Sequence, residues 1–279
     1  MAENAPDNEP DILAALKAGA ALGNVRQVDG TPFVVVPEGW EVESLGRMLD
    51  TPTHRQGTVT LNDVASFVDY VKRYLDASKS LVYMAVPTRI DQPPRFVVVL
   101  DEHPPAGATI AGWRGFRAIY APIMAPEWMT WTAANKQPMD QVKFSQFVED
   151  NLPDVVQPPG ADLLTITRSI EAKKKVNFAS SIRLSDGSHQ LTFEEEVQGS
   201  AAKGQLTIPE SIRLAIPVLL NGPRYAVDAR LRYRIDQAGK LALWIDLLRP
   251  HEIVQHAVTE ARKTIADGTG LPVLVGLPD

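Results

Sequence analysis

Residues 225–247 read YAVDARLRYRIDQAGKLALWIDL, and their alternation decides the fold class. Tyr225, Val227, Ala229, Leu231, Tyr233 and Ile235 share one face of an extended strand, while Asp228, Arg230, Arg232 and Arg234 share the other. After Asp236-Gln237-Ala238-Gly239 the pattern resumes, with Leu241, Leu243, Ile245 and Leu247 facing one way and Lys240, Ala242, Trp244 and Asp246 the other. Two half-buried strands in this order predict an antiparallel hairpin. A four-residue loop would set Tyr233 against Ala242 and Leu231 against Trp244. A three-residue loop sets Tyr233 against Leu243 and Leu231 against Ile245, and only this register keeps apolar opposite apolar. Such a loop is a type I turn followed by a left-handed residue, the position of Gly239, where a Cβ would clash. The outer face then sets Arg232 opposite Trp244 and Arg230 opposite Asp246.

Before this hairpin, Val176, Phe178, Ser180, Ile182 and Leu184 alternate, and Leu191, Phe193, Glu195 and Val197 alternate back. Asp186-Gly187 reads as a two-residue turn between them, a register that sets Ile182 opposite Leu191 and Phe178 opposite Glu195. Ile212, Leu214 and Ile216 predict one more strand. Ile253, Ala257, Val258, Ala261 and Ile265 form a helical stripe stopped by Gly268, and Leu271 to Val275 reads as a last strand. Strand, helix and strand in succession favour a right-handed crossover to a parallel edge.

In the first half, Val64, Phe67, Val68, Val71 and Leu75 make an amphipathic helix with Asn62 placed to cap it. Leu81 to Val86 and Arg95 to Leu100 are strands around the breaker Asp91-Gln92-Pro93-Pro94, and Arg117 to Ala121 is a third. Pro126-Glu127-Trp128 opens a helix that places Trp128 and Trp131 on one face. Met139, Val142, Phe147 and Leu152 suggest another, ending before Pro153. Leu163, Ile166 and Ile170 follow as a stripe capped by Asp162 and closed by Lys173-Lys174-Lys175, cations that suit a helix C-terminus. Phe33 to Val36 and Trp40 to Leu45 read as short strands, after a weak helix over Ile12 to Leu22.

These elements predict an α+β protein of two mixed halves, each a mainly antiparallel sheet with helices packed on one face. The expected divisions are an acidic lead-in and weak helix over 1–24, an N-terminal domain over 25–151, a Pro-rich linker over 152–160 and a C-terminal domain over 161–279. The linker assignment rests on Pro153, Pro158 and Pro159.

Of the 279 residues, 44% are hydrophobic and 22% charged, the balance of a soluble globular chain, and no apolar run approaches the roughly 18 residues that cross a bilayer. Glu3, Asp7, Glu9 and Asp11, with no Lys or Arg before residue 17, reverse the basic start of a signal peptide. No cysteine is present, which excludes disulfides and thiolate chemistry and fits a reducing cytoplasm. The net charge of −6 comes mostly from the four tail acids, since 28 basic residues then face 34 − 4 = 30 acidic ones. Bulk charge therefore argues neither for nor against nucleic acid.

No Walker loop, GxSxG elbow, HExxH or GxGxxG occurs. His251 and His256, five apart, project about 140° apart on a helix and make poor joint ligands. Asp101-Glu102-His103 and Glu194-Glu195-Glu196 could supply metal ligands, although a strand end and an alternating strand are ordinary places for solvated charge. No metal and no cofactor are expected. Gly112-Trp113-Arg114-Gly115-Phe116-Arg117 interleaves aromatics and arginines in a glycine-punctuated loop, a composition that suits either an interface or stacked bases on a polyanion. Trp113, Arg114, Arg117, Arg230, Arg232, Arg234 and Trp244 are the candidate contact residues, with no catalytic residue among them.

Pro37-Glu38-Gly39-Trp40, Gly57 to Phe67, Gly112-Trp113-Arg114 through Arg117-Ala118, Trp128 with Trp131, Phe144 to Asn151, and the run from Glu171-Ala172-Lys173 to Pro250 together resemble the YfdQ-like proteins of tailed phages and prophages. The resemblance implies a phage or prophage origin and residence in the bacterial host's cytoplasm, and it brings no catalytic or ligand residue. The expected function is a non-catalytic accessory or structural protein, soluble rather than membrane-bound, that acts through self-association as a homo-oligomer. A nucleic-acid-binding module in phage DNA metabolism is the alternative, and a metal-dependent nuclease the second alternative.

Overall fold

A computed structural model describes residues 17, 19–20, 26–28, 31–33, 39, 50–105, 111–159, 162–163, 165–166, 176–197, 200–236 and 240–278. The expected helix over 12–22, the strands at 33–36 and 40–45, the lysine run at 173–175 and the Gly239 loop position lie outside the described residues, wholly or in greater part. The chain clusters into two units, residues 1–55 and 56–279. In the first, β1 (Arg26–Val28) pairs antiparallel with β2 (Thr31–Phe33).

The second unit is α+β. Its N-terminal part supplies β3 (Gly57–Leu61), α1 (Val64–Tyr74), β4 (Leu81–Ala85), β5 (Arg95–Val99), β6 (Phe116–Tyr120), α2 (Pro126–Ala134), β7 (Met139–Asp140), α3 (Gln141–Asp150) and β8 (Val155–Gln157). Then come β9 (Val176–Arg183), β10 (His189–Val197), β11 (Ser200–Ile208), β12 (Ser211–Pro217), β13 (Arg224–Ile235), β14 (Leu241–Leu247), α4 (Pro250–Thr269) and β15 (Val273–Val275). One five-stranded sheet runs β15-β4-β5-β6-β3, a second β7-β14-β13-β12-β8, and a three-stranded sheet β11-β10-β9.

The β13–β14 hairpin has the register that apolar matching demands: Tyr233 faces Leu243, Leu231 faces Ile245, Arg232 faces Trp244 and Arg230 faces Asp246. Leu231, Leu243, Ile245 and Val227 are buried, and β12 adds Ile212, Leu214 and Ile216 to the same face. The β9–β10 hairpin differs from expectation by one residue. Gly187 takes φ 87° and closes a three-residue loop in which the Leu184 amide donates to the Ser188 carbonyl, so Leu191 faces Ser181 and Gln190 faces Ile182. A bulge between Thr192 and Phe193 then aligns Phe178 with Phe193, which removes the Phe178–Glu195 mismatch of the two-residue turn. Strand β11, absent from the sequence reading, completes this sheet.

Two helix ends also differ. Asp63, rather than Asn62, caps α1 by accepting from the Ser66 amide at 2.7 Å. Helix α4 runs through Gly268 and stops at Gly270, which takes φ 71°. Gly268 instead permits close approach: a Cβ there would stand 2.8 Å from Val68 Cγ1 on α1.

Of the expected linker at 152–160, the described residues 152–159 are docked within the second unit. Residues Leu152–Asp154 form a 3-10 turn, Asp154 accepts from the Trp131 indole at 2.8 Å, and buried Val155 pairs with Leu214. Strand β7, from before that stretch, and β8, within it, flank β14 and β12, while C-terminal β15 adds parallel to β4. Strand exchange in both directions merges the two predicted halves into one core, which holds Trp128, Trp131, Phe67, Phe96, Leu243 and Ile265. The parallel edge expected of the last strand is present, although it forms on the sheet of β4 rather than that of β14.

Candidate functional site

The candidate residues fall into two groups on different sheets. Trp113, Arg114 and Arg117 belong to the loop entering β6, and this loop is fixed by the Asp101-Glu102-His103 turn that ends β5. Asp101 accepts from the Gly115 and Phe116 amides, each at 3.0 Å, and its carbonyl accepts from the Arg114 amide. Gly112 lies so close to the Asp101 carbonyl that a Cβ would stand 2.1 Å from it. Glu102 is buried. It accepts from the Tyr83 hydroxyl at 2.7 Å and the His103 amide at 3.0 Å, while Arg114 Nε stands 2.9 Å from its Oε1, an ionic contact whose N–H is not aligned for a hydrogen bond. Burial raises the pKa of Glu102, but the Tyr83 and His103 hydrogen bonds and the Arg114 charge outweigh it and hold the carboxyl below the usual range.

The plain reading of Asp101-Glu102-His103 as solvated loop charge is thereby corrected: all three side chains hold the loop, His103 Nδ1 accepting from the Gly112 amide at 3.2 Å. Arg114 takes φ 56° and turns inward to Glu102, and Arg117 Nε donates to the Arg114 carbonyl at 2.7 Å. Trp113, 79% exposed, is what the fixed loop presents to solvent.

Arg230, Arg232 and Arg234 point outward from β13, as alternation requires, and Trp244 beside them is half-buried. Arg232 Nε lies 3.9 Å from Asp246, which also meets Lys136 Nζ at 3.7 Å. Arg213 and Asp228 pair at 2.6 Å on the same face. Arg230 and Arg234 make no ion pair or hydrogen bond among the described residues.

His251 and His256 are separated as their spacing requires. The His256 ring meets Tyr225 edge-on at 5.4 Å and stands 3.5 Å from Glu260, whereas His251 lines a groove of about 450 Å³ between α4 and the loop after β4. Among the described residues no three of His, Asp and Glu gather as a metal cage, and the side chains of Glu194 to Glu196 lie outside them.

Sequence reasoning missed the far edge of the first sheet. There Leu274 and Val275 of β15 are 45% and 65% exposed, with Val86 and Leu277 exposed beside them. The legible signal was charge depletion, for residues 270–278 carry no charged side chain. No helix among the described residues is long and apolar enough to cross a membrane.

A family model described as an uncharacterized conserved protein, DUF2303, matches residues 8–278. No curated protein and no solved structure matches the chain significantly.

Proposed function

We propose that the chain, which belongs to the DUF2303 family of uncharacterised conserved proteins, is a non-catalytic accessory protein that works by self-association. The observation that carries this reading is the open apolar edge of β15. Natural sheets protect such edges with charge, and residues 270–278 carry none of their own, although Arg262 of α4 donates to the Val273 carbonyl at 2.8 Å. Antiparallel pairing of a strand with its own copy sets residue i opposite j and j opposite i, so two strands that carry no charge bring no like charges together. Leu274, Val275, Leu277 and Val86 supply apolar surface around the shared strand. The resemblance to YfdQ-like proteins supports a phage or prophage setting in the cytoplasm of the bacterial host.

Sedimentation velocity across a concentration range tests the proposal. The wild type is expected to associate and Val275→Lys to sediment as a monomer with an unchanged circular-dichroism spectrum. A monomeric wild type refutes it.

A second reading, a nucleic-acid-binding module, is favoured by exposed Arg230 and Arg234, which have no partner among the described residues, beside Trp244 on a solvent-facing sheet, since arginine rows with an aromatic neighbour suit phosphates and bases. Gel shifts with single- and double-stranded DNA and RNA separate the two. Binding that falls steeply with salt and is lost in Arg230→Glu or Arg234→Glu, in a protein that stays monomeric, would replace self-association with this function.

A further inference from the structure

A cavity of about 350 Å³ lies where the end of β6, the start of α1, the β12–β13 turn and α4 meet. It opens beyond the carboxyl ends of parallel strands β3 and β6, where sheets with parallel strands commonly bind ligands. Tyr120, the last residue of β6, lines it. That side chain is 6% exposed, with its ring against Phe67 and Phe96 at 5.9 and 5.8 Å, and its hydroxyl has no hydrogen-bond partner among the described residues. The hydroxyl oxygen is not sealed in the core, since Arg114 Nε is the sealed side-chain atom without a partner among the described residues, so it opens on the cavity and can meet a polar group there. Burial, and then the Asp63 carboxylate, push its pKa up to about 12, which keeps the hydroxyl protonated and neutral.

The remaining polar lining selects the sign of the ligand. Asp63, Glu260 and Asp267 face one cation, Lys263, which already pairs with Asp267 at 3.2 Å. The formal balance is 1 − 3 = −2. Asp63 is held below the usual carboxyl range, chiefly by the Ser66 amide, and remains ionised at neutral pH. Glu260 accepts from the Tyr225 hydroxyl, which orients the carboxylate on the cavity wall. Val64, Leu219 and Ala257 give an apolar wall beside these acceptors.

We propose that the cavity binds a small organic ammonium group, whose three N–H donors meet the Tyr120 hydroxyl oxygen, Asp63 and Glu260 while its alkyl chain lies on the apolar wall. The ammonium belongs to a free amine or to a lysine side chain offered by a protein, and the same titration separates these sources.

Calorimetric titration of the full chain with n-butylamine, n-butanol, butyrate and Nα-acetyl-lysine amide is the test. Butylamine is expected to bind at least about tenfold more tightly than butanol or butyrate, the difference of one charge-assisted hydrogen bond. Tyr120→Phe and Glu260→Gln are each expected to weaken it about tenfold. Acetyl-lysine amide binding as tightly as butylamine supports a protein side chain as the source, and weaker binding supports a free amine. Should Tyr120→Phe fail to fold, the partly exposed Glu260→Gln decides by itself. Butylamine binding no tighter than butanol, or binding undiminished in every folded variant, overturns the proposal.

Discussion

Trp131→Phe tests whether residues 152–160 are part of the core. The Trp131 indole is fully buried and donates at 2.8 Å to Asp154, itself 6% exposed. Phenylalanine keeps most of the ring, including the edge-on contact to Phe147 at 5.1 Å, but removes the donor and leaves a buried carboxyl oxygen without its partner. Losing the bond and stranding the acceptor should cost about 2–4 kcal/mol. For a unit of this size each kcal/mol shifts the melting midpoint by about 2–4 °C, so the midpoint should fall by roughly 4–16 °C. Urea unfolding followed by circular dichroism measures the free energy, and Asp154→Leu completes a double-mutant cycle. Removing donor and acceptor together should cost less than the sum of the single changes, with a coupling of about 1–2 kcal/mol. Additive losses, or a Trp131→Phe cost under about 0.5 kcal/mol, would mean that the stretch after α3 is a loosely attached linker.

Glu102→Gln should flatten the acid limb of the stability curve. The folded pKa of Glu102 is depressed, so its contribution is complete above the unfolded value of about 4.3 and is lost as pH falls through the folded value. Urea midpoints from pH 5 to pH 2 check this, and an acid limb as steep as the wild type's refutes it. Gly270→Ala should cost about 1 kcal/mol, because the left-handed C-cap penalises a Cβ although the space there is open. Gly268→Ala should also lose about 1 kcal/mol net: the helix gains roughly 1 kcal/mol from alanine, but the new methyl must displace stiff, buried Val68 at a cost of about 1–3 kcal/mol. Denaturation midpoints for both variants decide the matter, and a stabilised Gly268→Ala would show that α1 and α4 part freely.

Much of the fold is written locally. Alternation of period two placed the apolar and arginine faces of β13 and β14, and apolar matching set their register, because each residue's face follows from its neighbours along the strand. The stripe of α1 was legible for the same reason. The Gly187 hairpin shows where local reading fails, since two- and three-residue loops fit the same turn residues and the choice depends on pairing across the sheet, bulge included. The outward row of Arg230, Arg232 and Arg234 was likewise visible, whereas the inward turn of Arg114 was not, because its partner Glu102 lies twelve residues earlier and is joined through the fold alone.

What the tertiary structure alone decided is the partnering of distant segments. A parallel strand carries no turn signature, so nothing near Val273 announces that it will pair with Val82. Burying the apolar faces of α4 and β15 beside α1 and β4 brings together the two ends of the second unit, and that same closure gathers Asp63, Tyr120 and Glu260, from three separate elements, around one cavity.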